Sequence, residues 1–511
     1  MLATIINLPH TGSISSEILV GDSLALGAVA GVCTDEGWET TVLDTCLHRW
    51  DVKDLLARIP AETRFLGVSI MHHGGWPLAR RAIELARTSF ADACICVGGS
   101  GPSLDPVRYA VDGLVNVVFS GNDLEALRKI LRAKRGEKNR HTAAQVVHAQ
   151  LEGGYYDQPT LRPNVRASYE RDHIVQFESS KGCHGCCSFC AVRAINAGRW
   201  SAKPVTPLLR EIDDAMCQVP QCRDIRFVDA NFLGAGRSRP DRALRIAESL
   251  GDRSLHFRFE CRVDDVSSEF FPRLRNKGLV GIYLGIESGC QNTLNAIRKG
   301  IDVENSLRTV RLLKSLGISW SFGFMMLCAG SADSDIDVNV GFLAKIGYGL
   351  RWKHFFHKLT PLEQPEGEDL SVTGSKLSDF WTLLRSHHEA LLKRESVIGH
   401  MLERYKEAGV EGAWDIDSAF GEYSISTFKR LVSDLRSSNG RDRKPREIVD
   451  RYAEIFEGIL EDVEKRVRRL QLPDRVWAEV LDRVWSPTDD EESVGPTLRA
   501  HRTHHAVKRR H

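Results

Sequence analysis

The sequence predicts an α/β protein: two successive parallel α/β units followed by a mainly helical region. Three observations predict it. Short apolar, strand-like runs alternate with helix-like runs up to about residue 135. The same alternation resumes from about 174 to 349. From 351 onward the apolar residues recur at helical spacing instead.

In the first unit, residues 3–8 form a strand and 23–36 a helix that stops at Gly37. Residues 40–43 form a strand and 52–59 a helix, then 65–71 a strand and 77–88 a helix. Strand 93–97 ends in Gly98-Gly99; strand 115–119 and helix 124–135 close the unit. This order argues for a doubly wound parallel sheet over residues 1–135. Residues 136–172 are polar, proline-containing and weakly periodic, so they are expected to be a linker. The second unit, 173–350, has strand-like runs at 174–178, 225–228, 256–261, 281–286 and 319–326, which suits a partial or full (β/α) barrel. Helices are expected at 377–393 and 448–470 within the C-terminal region 351–511.

The chain has 511 residues, 42% hydrophobic and 27% charged, which excludes chain-wide disorder. Sixty-nine basic residues against 68 acidic ones leave a formal charge of +1, so nothing argues for a nucleic-acid or membrane partner. No apolar run reaches the roughly 18 residues of a membrane span. The start, MLATIINLPHTG, lacks a basic segment and a cleavage-like pattern, so a cytoplasmic protein is expected.

Thirteen cysteines are an odd number, and a disulfide framework is a poor account of them. Nine are dispersed and suit packing; Cys94 and Cys96 alternate in a strand and share one face. The other four lie in Lys181-Gly-Cys183-His-Gly-Cys186-Cys187-Ser-Phe-Cys190. Cys183, Cys187 and Cys190 have the spacing C-x3-C-x2-C. Three thiolates on one loop can hold three irons of a [4Fe–4S] cluster and leave the fourth iron open. Zinc is the alternative, with Cys186 or His184 as fourth ligand, but no second Cys pair follows at finger-like distance. Cys186 is expected to be a bystander.

These residues resemble the radical S-adenosylmethionine (SAM) superfamily, including Phe189 before the third cysteine. The resemblance covers about 174–350 through Ser180-Lys-Gly-Cys183, Gly198-Arg-Trp200, Phe227-Val-Asp-Ala-Asn-Phe-Leu-Gly234, Phe259-Glu-Cys-Arg-Val-Asp264, Leu284-Gly-Ile-Glu-Ser-Gly289, Gly323-Phe-Met-Met326 and Lys358-Leu-Thr-Pro361. It implies that Cys183, Cys187 and Cys190 bind the cluster and that SAM sits on the open iron at the carboxyl ends of the strands. Arg262 is then expected to pair with the SAM carboxylate. Glu287 and Ser288 are expected at its amine or ribose, with Asp229 and Asn231 at the same mouth. One electron from the cluster would cleave SAM to a 5′-deoxyadenosyl radical that removes hydrogen from an unactivated carbon. An external donor such as flavodoxin or ferredoxin would supply that electron.

Residues 1–135 resemble the cobalamin-binding domain that precedes such cores in one branch of the superfamily. The match rests on 24–31, Gly37, Thr41-Val-Leu-Asp44 and Val97-Gly-Gly-Ser-Gly-Pro-Ser103. It implies corrin contacts at Gly98, Gly99, Ser100 and Ser103, with His72 (or His73) near cobalt and Trp76 covering it. Two departures stand out: no D-x-H-x-x-G motif is present, and Ser120-Gly-Asn-Asp123 replaces the branch's Gly-Glu-Gly-Glu run.

The resemblance favours a cobalamin-dependent radical SAM methyltransferase acting on a natural-product intermediate, a small molecule or peptide, as in antibiotic biosynthesis. A second reading is a dehydratase or epimerase of an aminoglycoside-type sugar with no cobalamin bound. A third is a cobalamin or iron–sulfur sensor. No catalytic acid or base is selected by spacing; His354, His357, Glu363 and Tyr423 are unranked candidates, and Asp415, Asp417 and Glu422 form an expected acidic patch.

Overall fold

The first sheet forms around central strands that are apolar on both faces, as a sheet covered by helices on two sides requires. The strands are β1 (Leu2–Asn7), β2 (Glu39–Leu43), β3 (Thr63–Ser69), β4 (Cys94–Gly98), β5 (Val117–Gly121) and β6 (Gln145–Ala149). The computed structural model describes residues 1–8, 23–48, 50–71, 75–135, 143–149, 161–234, 239–328, 330–357, 372–437 and 445–470. All strands of this sheet are parallel, in the order β2-β1-β3-β4-β5-β6. The order reverses at β1 and β3, so their carboxyl ends frame a crevice of the kind that binds ligands in open α/β sheets. Ile6, Leu66, Val68, Ile95, Val97 and Val118 fill one face. Ala3, Ile5, Phe65, Cys94, Cys96 and Phe119 fill the other, which places Cys94 and Cys96 together in the core. Burial pushes the Cys33 thiol up to about 12 and Cys96 well above the ordinary thiol value, so both are inert packing groups.

The segment expected to be a linker contributes to this sheet. β6 pairs in parallel with β5, and a helix, Val165–Asp172, follows. β6 is an edge strand with a polar, half-exposed pattern, so its periodicity is weak in the sequence. The outer parts of the segment, 136–142 and 150–160, lie outside the described residues.

The chain next forms β7 (Val175–Phe177), an antiparallel ribbon of β8 (Ser180–Gly182) and β9 (Trp200–Ala202), then β10 (Asp224–Phe227), β11 (His256–Arg262), β12 (Leu279–Glu287) and β13 (Ser319–Phe324). The second sheet is parallel and open, in the order β13-β12-β11-β10-β7. Among the described residues it is the partial barrel of the two expected forms. Strict alternation divides its faces. Phe177, Phe227, Phe257, Phe259, Phe322 and Phe324 are buried on one. Arg226, Arg258, Glu260, Arg262, Tyr283 and Glu287 stand on the other. The ribbon escapes sequence reading because three residues per strand carry no period.

Met1–Phe324 forms one compact unit. A second, helical unit begins at Met325, ahead of the expected boundary at 351. It includes Asp333–Ile346, Trp352–Phe356, Val372–His387, Glu389–Glu407, Ala413–Ser437 and Pro445–Val467. Hydrogen bonds from Met326 N to the His357 carbonyl (2.8 Å) and from Asn339 Nδ2 to the Met326 carbonyl (2.9 Å) hold its first residues. The expected acidic patch does not form, because Asp417 is fully buried. It accepts from Lys406 Nζ at 2.6 Å, Gly349 N at 2.8 Å and Arg351 Nη1 at 3.2 Å. Of the other unranked candidates, His354 is buried and its Nδ1 accepts from Arg351 N at 3.0 Å, while the Tyr423 hydroxyl accepts from Arg466 at 2.9 Å. Glu363 and the Lys358–Pro361 block lie outside the described residues. No described helix is long and apolar enough to cross a membrane.

Candidate active site

The cysteine loop leaves β8 and enters the short helix Ala191–Ile195. Its entry admits only glycine: Gly182 has φ +82°, and a Cβ there would lie 1.9 Å from the Arg199 carbonyl oxygen. Asp229 anchors the strand beneath it. Its carboxylate accepts from Ser179 N (3.0 Å), Ser179 Oγ (2.8 Å) and Ser180 Oγ. Burial raises its carboxyl to about 6, with the Ser180 and Ser179 bonds opposing the rise. Asp229 therefore anchors the segment that leads into the cysteine loop. Asp229→Ala leaves these donors without their acceptor, at a cost of about 2–4 kcal/mol. Thermal unfolding of the variant should show that loss, together with less iron bound per chain after reconstitution.

Cys187 is buried, Cys183 and Cys190 are half-buried, Phe189 is half-buried between them in sequence, and Cys186 is exposed. Asn231, fully buried, places its Nδ2 at 2.8 Å from Asp265 Oδ2 and 3.9 Å from Cys183 Sγ. Its carbonyl accepts from Trp200 Nε1 at 2.8 Å. The Trp200 ring occupies the space a Cβ of Gly234 would need, 2.1 Å away. Two sequence blocks thus meet against the first cysteine.

Arg262, expected at the SAM carboxylate, has three partners within the protein. Nε and Nη2 grip the two Asp264 oxygens at 2.9 and 3.1 Å, and Nη2 also donates to the Lys299 carbonyl at 2.7 Å. The fork expected for a ligand carboxylate is already closed on a neighbouring one, the stronger bidentate arrangement. Nη1 instead lies 3.8 Å from Cys187 Sγ. Glu287 does reach the mouth, at a backbone φ of +69°, and its Oε1 accepts from Lys299 Nζ at 2.9 Å. Ser288 is buried and its Oγ accepts from Cys290 N at 3.1 Å, so it shapes the turn.

Beneath this mouth Glu260 and Tyr283 are register partners on β11 and β12, two residues below Arg262 and Gly285 on the same face. Burial pushes the Glu260 carboxyl up to about 7, opposed by Arg226 and reinforced by Asp229. A carboxyl raised above its unfolded value contributes most stability when protonated and loses it as pH rises through about 7. Glu260→Gln should therefore be more stable than the wild type at pH 8, by roughly 1–3 kcal/mol. Denaturant titration should show the gain shrinking as pH falls toward 5.

At the first sheet, the Ser100 hydroxyl donates to the Met71 carbonyl. Ser103 Oγ donates to the Gly99 carbonyl at 2.7 Å and accepts from Gly121 N at 2.9 Å. Both serines tie the carboxyl ends of neighbouring strands together. Gly99 has φ +108°, and a Cβ there would lie 2.5 Å from the Ile70 carbonyl oxygen. At Gly98 a Cβ would lie 3.7 Å from Phe119, in ordinary van der Waals contact, so packing does not demand this ledge of bare backbone. Trp76 packs edge-on against Tyr109, with centroids 4.8 Å apart, and joins the core. Trp76, expected as a cover over cobalt, is half-buried at this contact. His72 and His73 lie outside the described residues. Helix Ser100–Leu104 packs on Ala191–Ile195, and Asn122 Nδ2 donates to Asn196 Oδ1 at 2.6 Å.

Residues 177–343 match the sequence model of the Radical SAM superfamily, and residues 19–155 match that of the B12 binding domain. The chain carries a radical SAM domain and a B12-binding domain. Among solved structures, the radical SAM chain resembles the cobalamin-dependent SAM radical enzyme OxsB, solved with aqua-cobalamin and SAM bound. The TM-score is 0.62 at 16% identity, over 94% of this chain and 83% of that one. It also resembles the radical SAM methyltransferase TsrM of Kitasatospora setae, with a TM-score of 0.53 at 19% identity, over 67% of this chain and 73% of that one. These likenesses concern the fold. An uncharacterized methyltransferase of Pyrococcus horikoshii is 24% identical over 168 residues, 33% of this chain and 36% of that protein. The 4′-phospho-dehydrooxetanocin synthase of Priestia megaterium is 28% identical over 239 residues, 43% of this chain and 32% of that protein. The radical SAM chain spans about a third of the length of the curated relatives it matches.

The residues present fit the cofactors of this family. Cys187 is raised by burial, with Lys299 and then Arg262 pulling it down; two cations beside thiols suit an anionic thiolate cluster. Among the described residues, no three Cys, His, Asp or Glu side chains converge on a single ion. A cluster does not need that convergence, since each thiolate binds its own iron. The ledge at Gly98 and the crevice between β1 and β3 fit a flat ligand. Lys299, Glu260 and Tyr283 were missed in the sequence. The one available signal was a lysine in Arg298-Lys299-Gly300, shortly after the strand-end glutamate.

Proposed function

We propose that the chain is a cobalamin-dependent radical SAM methyltransferase acting at an unactivated carbon of a small natural-product intermediate. The observation that carries it is the joining of two cofactor sheets in one compact unit. The helix at the crevice of the first sheet packs on the helix leaving the cysteine loop, and Asn122 bonds Asn196. When bound, the cluster and SAM supply one-electron cleavage to a carbon radical, and cobalamin supplies a methyl carrier. In this reading Cys183, Cys187 and Cys190 hold the cluster, and Asn231 and Asp229 keep the loop in shape. Glu287 and Lys299 present one acceptor and one cation to the polar end of SAM. Gly98 and Gly99 present bare backbone to the corrin. The polar face around Glu260 and Tyr283 receives the substrate, and a reductant supplies the electron.

A second reading is radical chemistry without net methylation. It is favoured by the relative whose name describes a synthase. The test is anaerobic reconstitution with iron, sulfide, cobalamin and methyl-labelled SAM. Label in a product supports methylation; label left only in methionine, with substrate consumed, supports the second reading.

A further inference from the structure

Cys186, Cys187, Ser188 and Cys190 line a cavity of about 480 Å³, together with Arg193 and Arg298. Both arginines are exposed, and among the described residues neither forms an ion pair with a carboxylate. A smaller cavity adjoins at Ala197 and is lined by Lys181 and Arg199. Lys181 is paired, its Nζ lying 3.5 Å from Glu178 Oε2. The chain as a whole carries a formal charge of only +1, so this concentration of cations is local.

The backbone holds the two arginines in place. Ser188 N donates to the Ile297 carbonyl at 3.0 Å, which ties the cysteine loop to the turn bearing Arg298. Gly198 N donates to the Arg193 carbonyl at 2.9 Å. Arg298 has φ +54° and Ala197 φ +50°, left-handed positions that cost non-glycine residues energy and tend to persist at functional sites.

We propose that the face bearing Arg193 and Arg298 is the docking surface for an acidic one-electron carrier protein of the flavodoxin or ferredoxin class. The proposal rests on the cysteine loop holding a reducible cluster. An acidic carrier drawn to this face arrives beside Cys187 and Cys190. One electron leaves the carrier and one enters the cluster, and no bond is made or broken. Charge complementarity of this kind steers encounter and fixes orientation, and salt screens it.

The test uses the full reconstituted chain and flavodoxin as probe. Binding of oxidised flavodoxin is measured against the double variant Arg193→Glu, Arg298→Glu, at low and high salt. SAM cleavage is measured with reduced flavodoxin and separately with dithionite. The expected result is about tenfold weaker binding for the variant at low salt, a difference that salt erases. Flavodoxin-driven cleavage falls by a similar factor while dithionite-driven cleavage is unchanged. Equal binding of flavodoxin by both proteins overturns the proposal, as does an equal loss with dithionite, which would put the arginines in the cofactor machinery. If the wild-type chain fails to cleave SAM even with dithionite, the functional reading falls, and the binding comparison still judges the docking surface.

Discussion

Cys187→Ala should leave a folded chain that retains little iron and produces no 5′-deoxyadenosine from SAM. Cys187 is the most buried of the three loop thiols, and Arg262 and Lys299 both press positive charge toward it. Without the thiolate, a cluster would be held by two cysteines and would have a buried cationic wall facing no anion. The fold around it does not depend on this sulfur. Asp229, Gly182 and the β8–β9 ribbon shape the loop through the backbone. Iron per chain, the visible absorption of the reconstituted protein and SAM cleavage should therefore fall together while circular dichroism stays put. Cys186→Ala is the control: Cys186 is exposed, and its loss should leave iron content near wild type.

A large stability effect is expected in the helical unit. Lys406 and Asp417 are both buried, 2.6 Å apart, and join the helices Glu389–Glu407 and Ala413–Ser437. Burial alone would push the Asp417 carboxyl up; Lys406 and Arg351 outweigh it and hold it below the usual range. Lys406→Met leaves that charge with Arg351 and one backbone N–H, and should cost about 3 kcal/mol. A carboxyl held below its unfolded value contributes stability above that value and loses it as pH falls through the folded one. The gap between variant and wild type should therefore narrow in acid. The double variant Lys406→Met, Asp417→Leu should recover part of the loss, because removing both buried charges is less costly than stranding one. Thermal unfolding at pH 7 and at pH 4 checks both statements.

The legible parts of the fold were those with a period. All five strands of the second sheet were placed from runs of apolar residues, and so were the first five of the first sheet. β6 was hidden by its half-exposed edge position, and the β8–β9 ribbon by its brevity. The three cysteines proposed to hold the cluster were legible because all of them sit within eight consecutive residues, where spacing along the chain nearly determines spacing in space. Other candidates depended on partners far along the chain. Trp76 packs on Tyr109, Arg262 donates to the Lys299 carbonyl, and Asp229 accepts from Ser179 and Ser180.

The sequence by itself determined the order of the two α/β units, the glycine-rich ledge after β4 and the thiol trio. Those are properties of local pattern, and backbone sterics or ligand spacing enforce them within a few residues. Only the tertiary structure decided that Glu287 pairs with Lys299, that Glu260 lies against Tyr283 in a raised-pKa setting, and that Asp417 is a buried ion-pair partner. The reason is electrostatic. The state of a charged side chain is set by its burial and by the charges within a few ångströms, and in this fold those neighbours come from other strands and helices.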